Sequence, residues 1–292
     1  MSSAPPAAGW RTARRTVPLS RAVIIGILNV TPDSFSDGGR HLALADALMA
    51  ALAMKEEGAD VLDVGGESTR PGAAYVDEDE ELRRVIPVIE RLASDVLLPI
   101  SVDTRRSGVA RCALAAGAEI VNDVSGLMRD PAMARVIAES GAGAIIMHMR
   151  GEPGDMDDHA VYSDVVGEVC AELAERRDAA LAAGIEPERI VLDPGLGFAK
   201  KTEHNLALLA GLPELTALGH PLLVGPSRKR FLGQITGEAV NHRDHATASA
   251  CVAARILGAS LFRVHDVGTA REALTIADAV SAARRTPHAA RF

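Results

Sequence analysis

Residues 100–148 read ISVDTRRSGVARCALAAGAEIVNDVSGLMRDPAMARVIAESGAGAIIMH. Three short runs rich in β-branched residues, at 100–103, 120–124 and 144–148, are separated by longer segments of helical period. In the first of these segments, Val109, Cys112 and Ala113 recur at the spacing of one helix face. The stretch therefore predicts consecutive βα units.

The same alternation extends over most of the sequence. Five further apolar runs bring the total to eight, at residues 23–29, 61–65, 190–193, 222–225 and 261–265. Eight βα units in roughly 250 residues fit a single (β/α)₈ TIM barrel of the α/β class better than a doubly wound sheet, which usually stops near six strands. A G-x-G-x-x-G turn after the first run is also missing, which weakens the dinucleotide-binding alternative.

Composition and charge limit the class of partner. Of the 292 residues, 48% are hydrophobic but only 3% aromatic, so the core must come from Ala, Val, Ile and Leu. The sequence carries 31 Lys and Arg against 39 Asp and Glu, a formal net charge of −8. A negative surface repels a polyanion, so no nucleic-acid partner is expected.

The two ends are expected to lie outside the barrel. Residues 1–21 contain no apolar h-region, so we expect a flexible N-terminal extension, with no secretory signal and no membrane partner. The barrel is expected over 22–285 and a short tail over 286–292. Cys112, Cys170 and Cys251 show no metal-binding spacing, and we interpret them as reduced core residues of a cytoplasmic protein.

Polar residues stand where the apolar runs end, which is where a barrel of this kind performs chemistry. They are Asn29, Asp103, Asn122, Asp123, His148, Asp193, Ser227, Arg228, Lys229, Arg263, His265 and Asp266. A single carboxylate such as Asp103 is more typical of a helix cap, but the coincidence in seven runs favours a site. Together they suit a polar heterocycle on one side and an anion on the other.

Two loops are predicted to be mobile. Residues 29–39 (NVTPDSFSDGG) follow the first run and residues 65–72 (GGESTRPG) follow the second. Glycines at their ends permit hinge motion, and the hydroxyl and charged groups between them suit closure on a charged substrate or metal. Polar surface connections have a similar composition, so composition alone leaves both interpretations open.

The sequence resembles the dihydropteroate synthases. Seven motifs occur in that family's order from Asn29 to Val267, namely NVTPDSFSDGG, GGESTRPGA, SVDT, VNDVSG, LDPGLGFAK, SRK and RVHDV. The first two are long and specific. The resemblance implies a barrel enzyme that joins p-aminobenzoate to 6-hydroxymethyl-7,8-dihydropterin diphosphate, releasing pyrophosphate and forming 7,8-dihydropteroate for folate synthesis.

The resemblance also implies roles for individual residues. The pterin ring would be held by Asp103, Asn122, Asp193 and Lys229, with Met147 and Phe198 nearby. The diphosphate would contact Asn29, Thr69 and the segment Arg263, Val264 and His265, and Asn29 would also bind Mg²⁺. Phe35, Asp37, Arg70 and Pro71 would close over the site and form the p-aminobenzoate pocket. The catalytic set is then Asp37, Arg70, Asp103, Lys229 and Arg263.

Two positions depart from the family pattern. Arg230 stands where many relatives have Ser, and Pro226 replaces a small or hydroxylated residue. The carboxylate of p-aminobenzoate is therefore expected to meet either a backbone N–H at a helix start or Arg230 itself. The pterin positions are unaffected by both departures.

Three hypotheses follow from these residues. The first is an active synthase, inhibited by sulfonamides and, by family habit, a homodimer. The second is a silent paralogue that binds pterin for regulation, against which the intact loop motifs argue. The third is another pterin-site barrel, such as a methyltransferase acting on methyl-folate with a corrinoid partner. The diphosphate positions and both loops favour the synthase.

Overall fold

A computed structural model describes residues 9–30, 40–67 and 76–285. The described part begins with a two-stranded antiparallel hairpin formed by β1 (Gly9–Arg11) and β2 (Thr16–Pro18). Eight short strands then follow, namely β3 (Val23–Asn29), β4 (Val61–Gly65), β5 (Ile100–Asp103), β6 (Ile120–Asp123), β7 (Gly143–Met147), β8 (Ile190–Asp193), β9 (Leu223–Val224) and β10 (Leu261–Val264).

These eight strands form one parallel barrel. The hydrogen-bonded order is β8, β7, β6, β5, β4, β3, β10, β9, so sequential strands are neighbours from β3 to β8 and from β9 to β10, and the first barrel strand, β3, pairs with the last, β10. A parallel bridge between Leu192 and Leu222 joins β8 to the start of β9, and the Leu192 N–H donates to the Pro221 carbonyl at 3.0 Å. The predicted (β/α)₈ barrel is confirmed, and every predicted apolar run overlaps one of its strands.

Helices cover the outside of the barrel. In chain order the described helices are α1 (Arg40–Glu56), α2 (Glu78–Asp95), α3 (Ser107–Ala116), α4 (Met133–Ser140), α5 (Val165–Ala182), α6 (Thr202–Ala210), α7 (Leu212–Thr216), α8 (Arg230–Thr236), α9 (Asp244–Ile256) and α10 (Val267–Arg285). Helix α3 ends at Gly117, whose φ of +120° is a conformation that favours glycine. A helical connection lies between consecutive strands of the barrel, which allows all eight strands to run in the same direction.

The barrel strands bury apolar side chains on both faces. Outward-facing residues such as Val64, Val102 and Ile146 pack against the helices in the larger core. Inward-facing residues such as Ile25, Ile120 and Ile145 form a smaller core inside the barrel. Because side chains alternate along a strand, the interior is packed rather than open, and only the strand ends remain for polar chemistry.

The N-terminal segment differs from the predicted flexible extension. Residues 9–18 form the hairpin, and Trp10 is completely buried in the inner core while its indole N–H donates to the Arg189 carbonyl at 2.8 Å. Val17 packs in the same core. The prediction was wrong here because two apolar side chains in a polar segment close the amino end of the barrel. Residues 1–8 and 286–292 lie outside the described residues.

The cysteines are free, but only one is a core residue. Cys251 is buried, Cys170 is half-buried and Cys112 is exposed. The expected burial of Cys112 was wrong because the buried face of α3 runs through Val109, Ala110 and Ala113. Across the three described ranges, we find no helix with the length and apolarity needed to span a bilayer.

Candidate active site

Three sequence-predicted site residues, Asn29, Asp103 and Asn122, lie in one row with Gly65 across the barrel. Asn29 pairs with Gly65, Gly65 with Asp103, and Asp103 with Asn122, which joins the ends of β3, β4, β5 and β6. A Cβ on Gly65 would stand in ordinary van der Waals contact with the Asp103 Cβ, at 3.5 Å, so Gly65 lies directly beside this carboxylate. The polar strand ends therefore meet at the carboxyl edge of the barrel, as predicted.

Arg263 ties two carboxylates together at this edge. Its Nε donates to Asp63 Oδ2 at 2.6 Å, and its Nη2 donates to Asp103 Oδ2 at 2.6 Å. The Asn122 amide also donates to Asp63 Oδ2, at 3.1 Å. Asp63 is fully buried, and its Oδ1 has no hydrogen-bond partner among the described residues. Arg263 thus orients Asp103 directly, and Asp63 links the Asn122 amide to the same guanidinium.

The environment changes the acid–base behaviour of Asp103. Burial raises the pKa of this carboxyl to about 7, opposed by Arg263 and reinforced by the nearby carboxylate of Asp63. The same carboxylates, Asp63 and Asp103, raise the pKa of Arg263 against the effect of burial, so its guanidinium remains charged. At neutral pH, Asp103 can therefore either accept or donate a hydrogen bond to a heterocycle.

Asp193 forms a second carboxylate on the other side of the barrel mouth. It ends β8, pairs with Met147 of β7 and accepts from the Gly195 N–H at 2.7 Å. Burial raises its pKa to about 6, opposed by the Gly195 N–H and by the cations of Lys229, Lys200 and Arg263. The surrounding positive charge favours the ionised form, which suits a ligand that donates N–H groups.

An apolar and cationic wall stands beside Asp193. The ammonium of Lys229 lies 3.9 Å from the centroid of the Phe198 ring, a cation–π contact. Phe198 packs against a small buried cluster of Val124, Met147 and Met149. Gly197 has a φ of +78°, a conformation that favours glycine, and a Cβ there would stand 2.8 Å from Lys229 Cδ. The predicted neighbours Met147, Phe198 and Lys229 are therefore brought together.

The segment after β10 supplies the polar groups of the anion side. His265 is half-buried, and its Nδ1 lies 2.8 Å from Ser227 Oγ, which also accepts from the His265 backbone N–H at 3.1 Å. Val264 is completely buried in the core between barrel and helices, so only its backbone remains for a ligand contact. Arg263 and His265 thus face the site on either side of an anchoring valine.

Several predicted site residues lie outside the described residues. These are Phe35, Asp37, Thr69, Arg70 and Pro71. The two described ends of the second loop are tied together, since Glu67 Oε1 accepts from the Val76 N–H at 3.3 Å and Glu67 Oε2 accepts from Arg105 and Arg106 at 3.2 and 3.1 Å. This anchoring keeps both ends of the loop on the catalytic face.

Other strand-end residues stabilise their own turns. Asp123 accepts from the Ser125 N–H at 2.8 Å and from the Leu127 N–H at 3.1 Å. Asp266 accepts from the backbone N–H of Thr269 at 3.0 Å and from its hydroxyl at 2.8 Å, at the start of α10. For Asp123 and Asp266 the simpler interpretation is therefore correct, because each carboxylate caps the turn or helix that follows its strand.

Sequence reasoning missed Asp63 as a site residue. The signal was available, since Asp63 is the one charged residue inside the second apolar run, VLDVG. A carboxylate in the middle of a buried strand requires a partner of opposite charge, here Arg263. Ser227 was predicted only as one of a group of polar residues. Its contact with His265 forms because the fold places the loop after β9 beside the end of β10.

Comparisons with known proteins agree with this geometry. The model of a family described as pterin binding enzymes matches residues 25–265. Dihydropteroate synthases of Mycobacterium leprae and of Synechocystis are 49% and 47% identical to this chain, each covering 89% of it and 94% and 90% of the relative. The solved dihydropteroate synthase of Xanthomonas albilineans superposes with a TM-score of 0.88 at 47% identity, covering 96% of this chain and 99% of that one.

A closed parallel barrel with carboxylates, an amide and cations at the strand ends defines a pterin-binding barrel enzyme. Within that class the chain belongs to the dihydropteroate synthases, which are transferases. The fold, the activity and the class of substrate inferred from the motifs are therefore confirmed. The roles of individual residues are argued below.

Proposed function

We propose that the chain joins p-aminobenzoate to a dihydropterin diphosphate, with its own Asp103, Asn122, Asp193 and Lys229 holding the pterin ring and Arg263 contacting the diphosphate. The observation that carries this assignment is the hydrogen-bonded set of Arg263, Asp63, Asp103 and Asn122 at the barrel mouth. Solved structures of the Xanthomonas albilineans relative with 4-aminobenzoic acid and with 7,8-dihydropteroate support the same chemistry.

The pterin side of the site matches the ring's hydrogen-bonding groups. Asp193 and Asp103 are placed to accept from amino and ring N–H groups, and the Asn122 amide serves both as donor and as acceptor. Lys229 donates towards the ring carbonyl, and Phe198 offers an apolar face beside it. Charge-assisted bonds of this kind orient a planar ligand strongly.

The anion side takes the diphosphate. Arg263 and His265 stand on either side of Val264, the last residue of β10, and carry the cation and the ring N–H that a diphosphate requires. In the dissociative route that the resemblance implies, pyrophosphate leaves first and the amine of p-aminobenzoate attacks the exocyclic methylene. Arg263 and His265 stabilise the departing anion, and the carboxylates of Asp103 and Asp193 stabilise the cationic pterin.

Asn29 fits a magnesium ion that is coordinated mainly by the substrate. It is half-buried at the end of β3 and offers a neutral oxygen, a donor that a hard cation accepts. No group of three acidic, His or Cys side chains capable of holding a metal occurs in the described ranges, so the remaining ligands would be diphosphate and water oxygens. When bound, Mg²⁺ would neutralise charge on the leaving group.

Arg230 is proposed to influence the p-aminobenzoate subsite. It begins α8 directly after Lys229, and both of its terminal nitrogens lie 3.4 Å from carboxylate oxygens of Asp157. The ion pair is largely exposed and therefore weak. A substrate carboxylate can compete with Asp157 for this guanidinium, which favours Arg230 itself as a contact over a purely backbone one.

The assignment is tested by incubating the purified protein with dihydropterin diphosphate, p-aminobenzoate and Mg²⁺. We expect dihydropteroate and pyrophosphate in equal amounts, with turnover lost on chelation and restored by added Mg²⁺, because the leaving group then lacks its counter-charge. Pterin binding without product formation would instead support the silent paralogue. Full turnover after chelation would contradict the magnesium proposal alone.

Asp193→Asn should weaken binding of the pterin diphosphate about tenfold to a hundredfold, because a charge-assisted acceptor becomes a neutral amide of similar shape. Isothermal calorimetry measures this dissociation constant directly. Asp123→Asn is the matched control, since Asp123 also ends a strand and is buried but binds its own turn. An unchanged dissociation constant for Asp193→Asn would show that this carboxylate does not contact the ligand.

Three further expectations remain predictions for this chain. They are a homodimer, inhibition by sulfonamides as mimics of p-aminobenzoate, and a cytoplasmic location. The free thiols of Cys112, Cys170 and Cys251 are consistent with a reducing environment. Sedimentation, inhibition assays and localisation of a tagged chain test them separately.

A further inference from the structure

A buried polar group lies behind the pterin site and takes no part in the chemistry described above. It consists of Lys200, His148 and Glu172, which we call the Lys200 triad. Lys200 is 4% exposed and His148 is fully buried, while the Glu172 side chain is 29% exposed. The Lys200 ammonium lies 2.9 Å from His148 Nδ1, and His148 Nε2 lies 3.0 Å from Glu172 Oε2.

The directions of these hydrogen bonds follow from Glu172. The hydrogen bond from His148 lowers the pKa of Glu172 to about 2, aided by Arg150 and opposed by burial, so Glu172 is a carboxylate and can only accept. His148 must then carry its proton on Nε2, which leaves Nδ1 as an acceptor for Lys200. Burial and the neighbouring Lys200 cation lower the pKa of His148 to about 3, in agreement with a neutral ring.

Lys200 also holds the turn that carries Phe198. Its ammonium donates to the Phe198 carbonyl at 2.9 Å. The backbone of this turn is irregular, because Gly195, Gly197 and Ala199 all have positive φ, at +66°, +78° and +51°. The Phe198 N–H donates to the Gly195 carbonyl at 3.1 Å, and the Lys200 side chain adds a further restraint from outside the turn.

The same turn leads directly from Asp193. The backbone N–H of His148 donates to the Asp193 carbonyl at 2.8 Å, so the strand end and the turn share His148 as a neighbour. The Lys200 ammonium is one of the positive charges that favour the ionised form of Asp193. Lys200 is thus linked both to the carboxylate and to the aromatic wall of the site.

We propose that Lys200 is a positioning residue of the pterin site. Held between the Phe198 carbonyl and His148 Nδ1, its amino group restrains the turn that presents Phe198 and, when protonated, adds to the positive charge around Asp193. The inference rests on the proposed pterin site but concerns a residue that the ligand itself does not touch. Glu172, at the outer end of the triad, sets the tautomer of His148 that makes the clamp possible.

Lys200→Met tests the proposal, because methionine keeps the length of the side chain and removes every donor. We expect the dissociation constant for pterin diphosphate to rise at least about tenfold. The matched control is Lys201→Met, the same change at an exposed neighbouring position, which should bind as the unmodified protein does. Equal dissociation constants for the two variants would overturn the proposal.

The pH dependence separates electrostatic positioning from a loss of packing. Asp193 is faced by Lys229, Lys200 and Arg263, and Lys200 by Asp193, Arg176, Lys229 and Glu172. Burial lowers the pKa of Lys200 well below its ordinary value, opposed by the carboxylates of Asp193 and Glu172. Removing the positive charge that protonated Lys200 contributes raises the pKa of Asp193, so pterin affinity should begin to fall at a higher pH as the solution is acidified. An acid limb identical to that of Lys201→Met would contradict the charge part of the proposal.

A measurement on the unmodified protein covers the case in which Lys200→Met does not fold. Nitrogen-15 NMR of labelled histidines should show one ring that stays neutral at pH 5 and is protonated on Nε2. Protonation on Nδ1 would require Lys200 to accept rather than donate, and would overturn the clamp. Loss of binding in Asp193→Asn with normal binding in Lys200→Met refutes this inference alone, whereas normal binding in both refutes the pterin site.

Discussion

Arg263→Met should lower the free energy of unfolding by about 3–5 kcal/mol, because it leaves the buried carboxylates of Asp63 and Asp103 without their shared cation. Turnover should fall by about a hundredfold or more, since the same guanidinium is a stabiliser of the departing anion. Both effects come from one side chain, because Arg263 is the ion-pair partner of two buried carboxylates and also contacts the leaving group.

The loss of stability should depend on pH. The folded-state pKa of Asp103 is raised to about 7, so the folded state binds a proton that the unfolded state has already released. Stability from such a group is present at low pH and is lost as the pH rises towards 7. Without Arg263 the pKa of Asp103 rises further, and the variant should be closer to the unmodified protein at pH 5 than at pH 8.

Urea unfolding at the two pH values and steady-state turnover of the folded variant measure these effects. Arg255→Met is the matched control, because Arg255 also forms a partly buried ion pair, at 2.7 Å from Asp278, but far from the barrel mouth. It should lose some stability and keep its turnover. Normal turnover in folded Arg263→Met would remove Arg263 from the catalytic set.

Asp37→Ala and Arg70→Ala are expected to lower kcat by about a hundredfold or more while barely changing the binding of pterin diphosphate. The roles of both residues come from the resemblance, since they lie in the two loops outside the described residues. Loops that close after binding, around the departing pyrophosphate, contribute to the transition state more than to the ground state. Asp193→Asn should show mainly the reverse pattern.

Comparing kcat with the pterin diphosphate dissociation constant for each variant distinguishes these patterns. Asp178→Ala and Arg91→Ala are suitable controls, because their side chains are 64% and 55% exposed on α5 and α2. Near-normal turnover in both loop variants would favour the simpler interpretation of these loops as polar surface connections.

Much of this architecture could be predicted from local sequence. The eight runs alternate with helical segments because a parallel strand buried on both faces must be apolar throughout, and that requirement is visible in a few consecutive residues. The strand-end residues Asp103, Asn122 and Asp193 were predicted to converge for an equally general reason, since the carboxyl ends of all barrel strands meet at one face.

Other features depend on residues far apart in the chain. Asp63 and Arg263 are separated by 200 positions, and only closure of the barrel brings β4 and β10 to either side of β3. The N-terminal hairpin was not predicted, because Trp10 can be buried only once the barrel has formed and its amino end is available for packing. Asp123 and Asp193 look alike in sequence, and each accepts from the N–H two residues further on, but Asp193 is in addition surrounded by the cations of Lys229, Lys200 and Arg263.

The sequence by itself determined the strand and helix order, the polar barrel mouth and, through its long motifs, the family. The tertiary structure decided which of the polar groups pair, which remain for a ligand and which buried groups, such as Lys200, support them. The physical reason is the distance along the chain over which each interaction acts. Hydrophobic period and turn chemistry act over a few residues, whereas a buried charge is stabilised by whatever partner the closed fold places within about 3 Å of it.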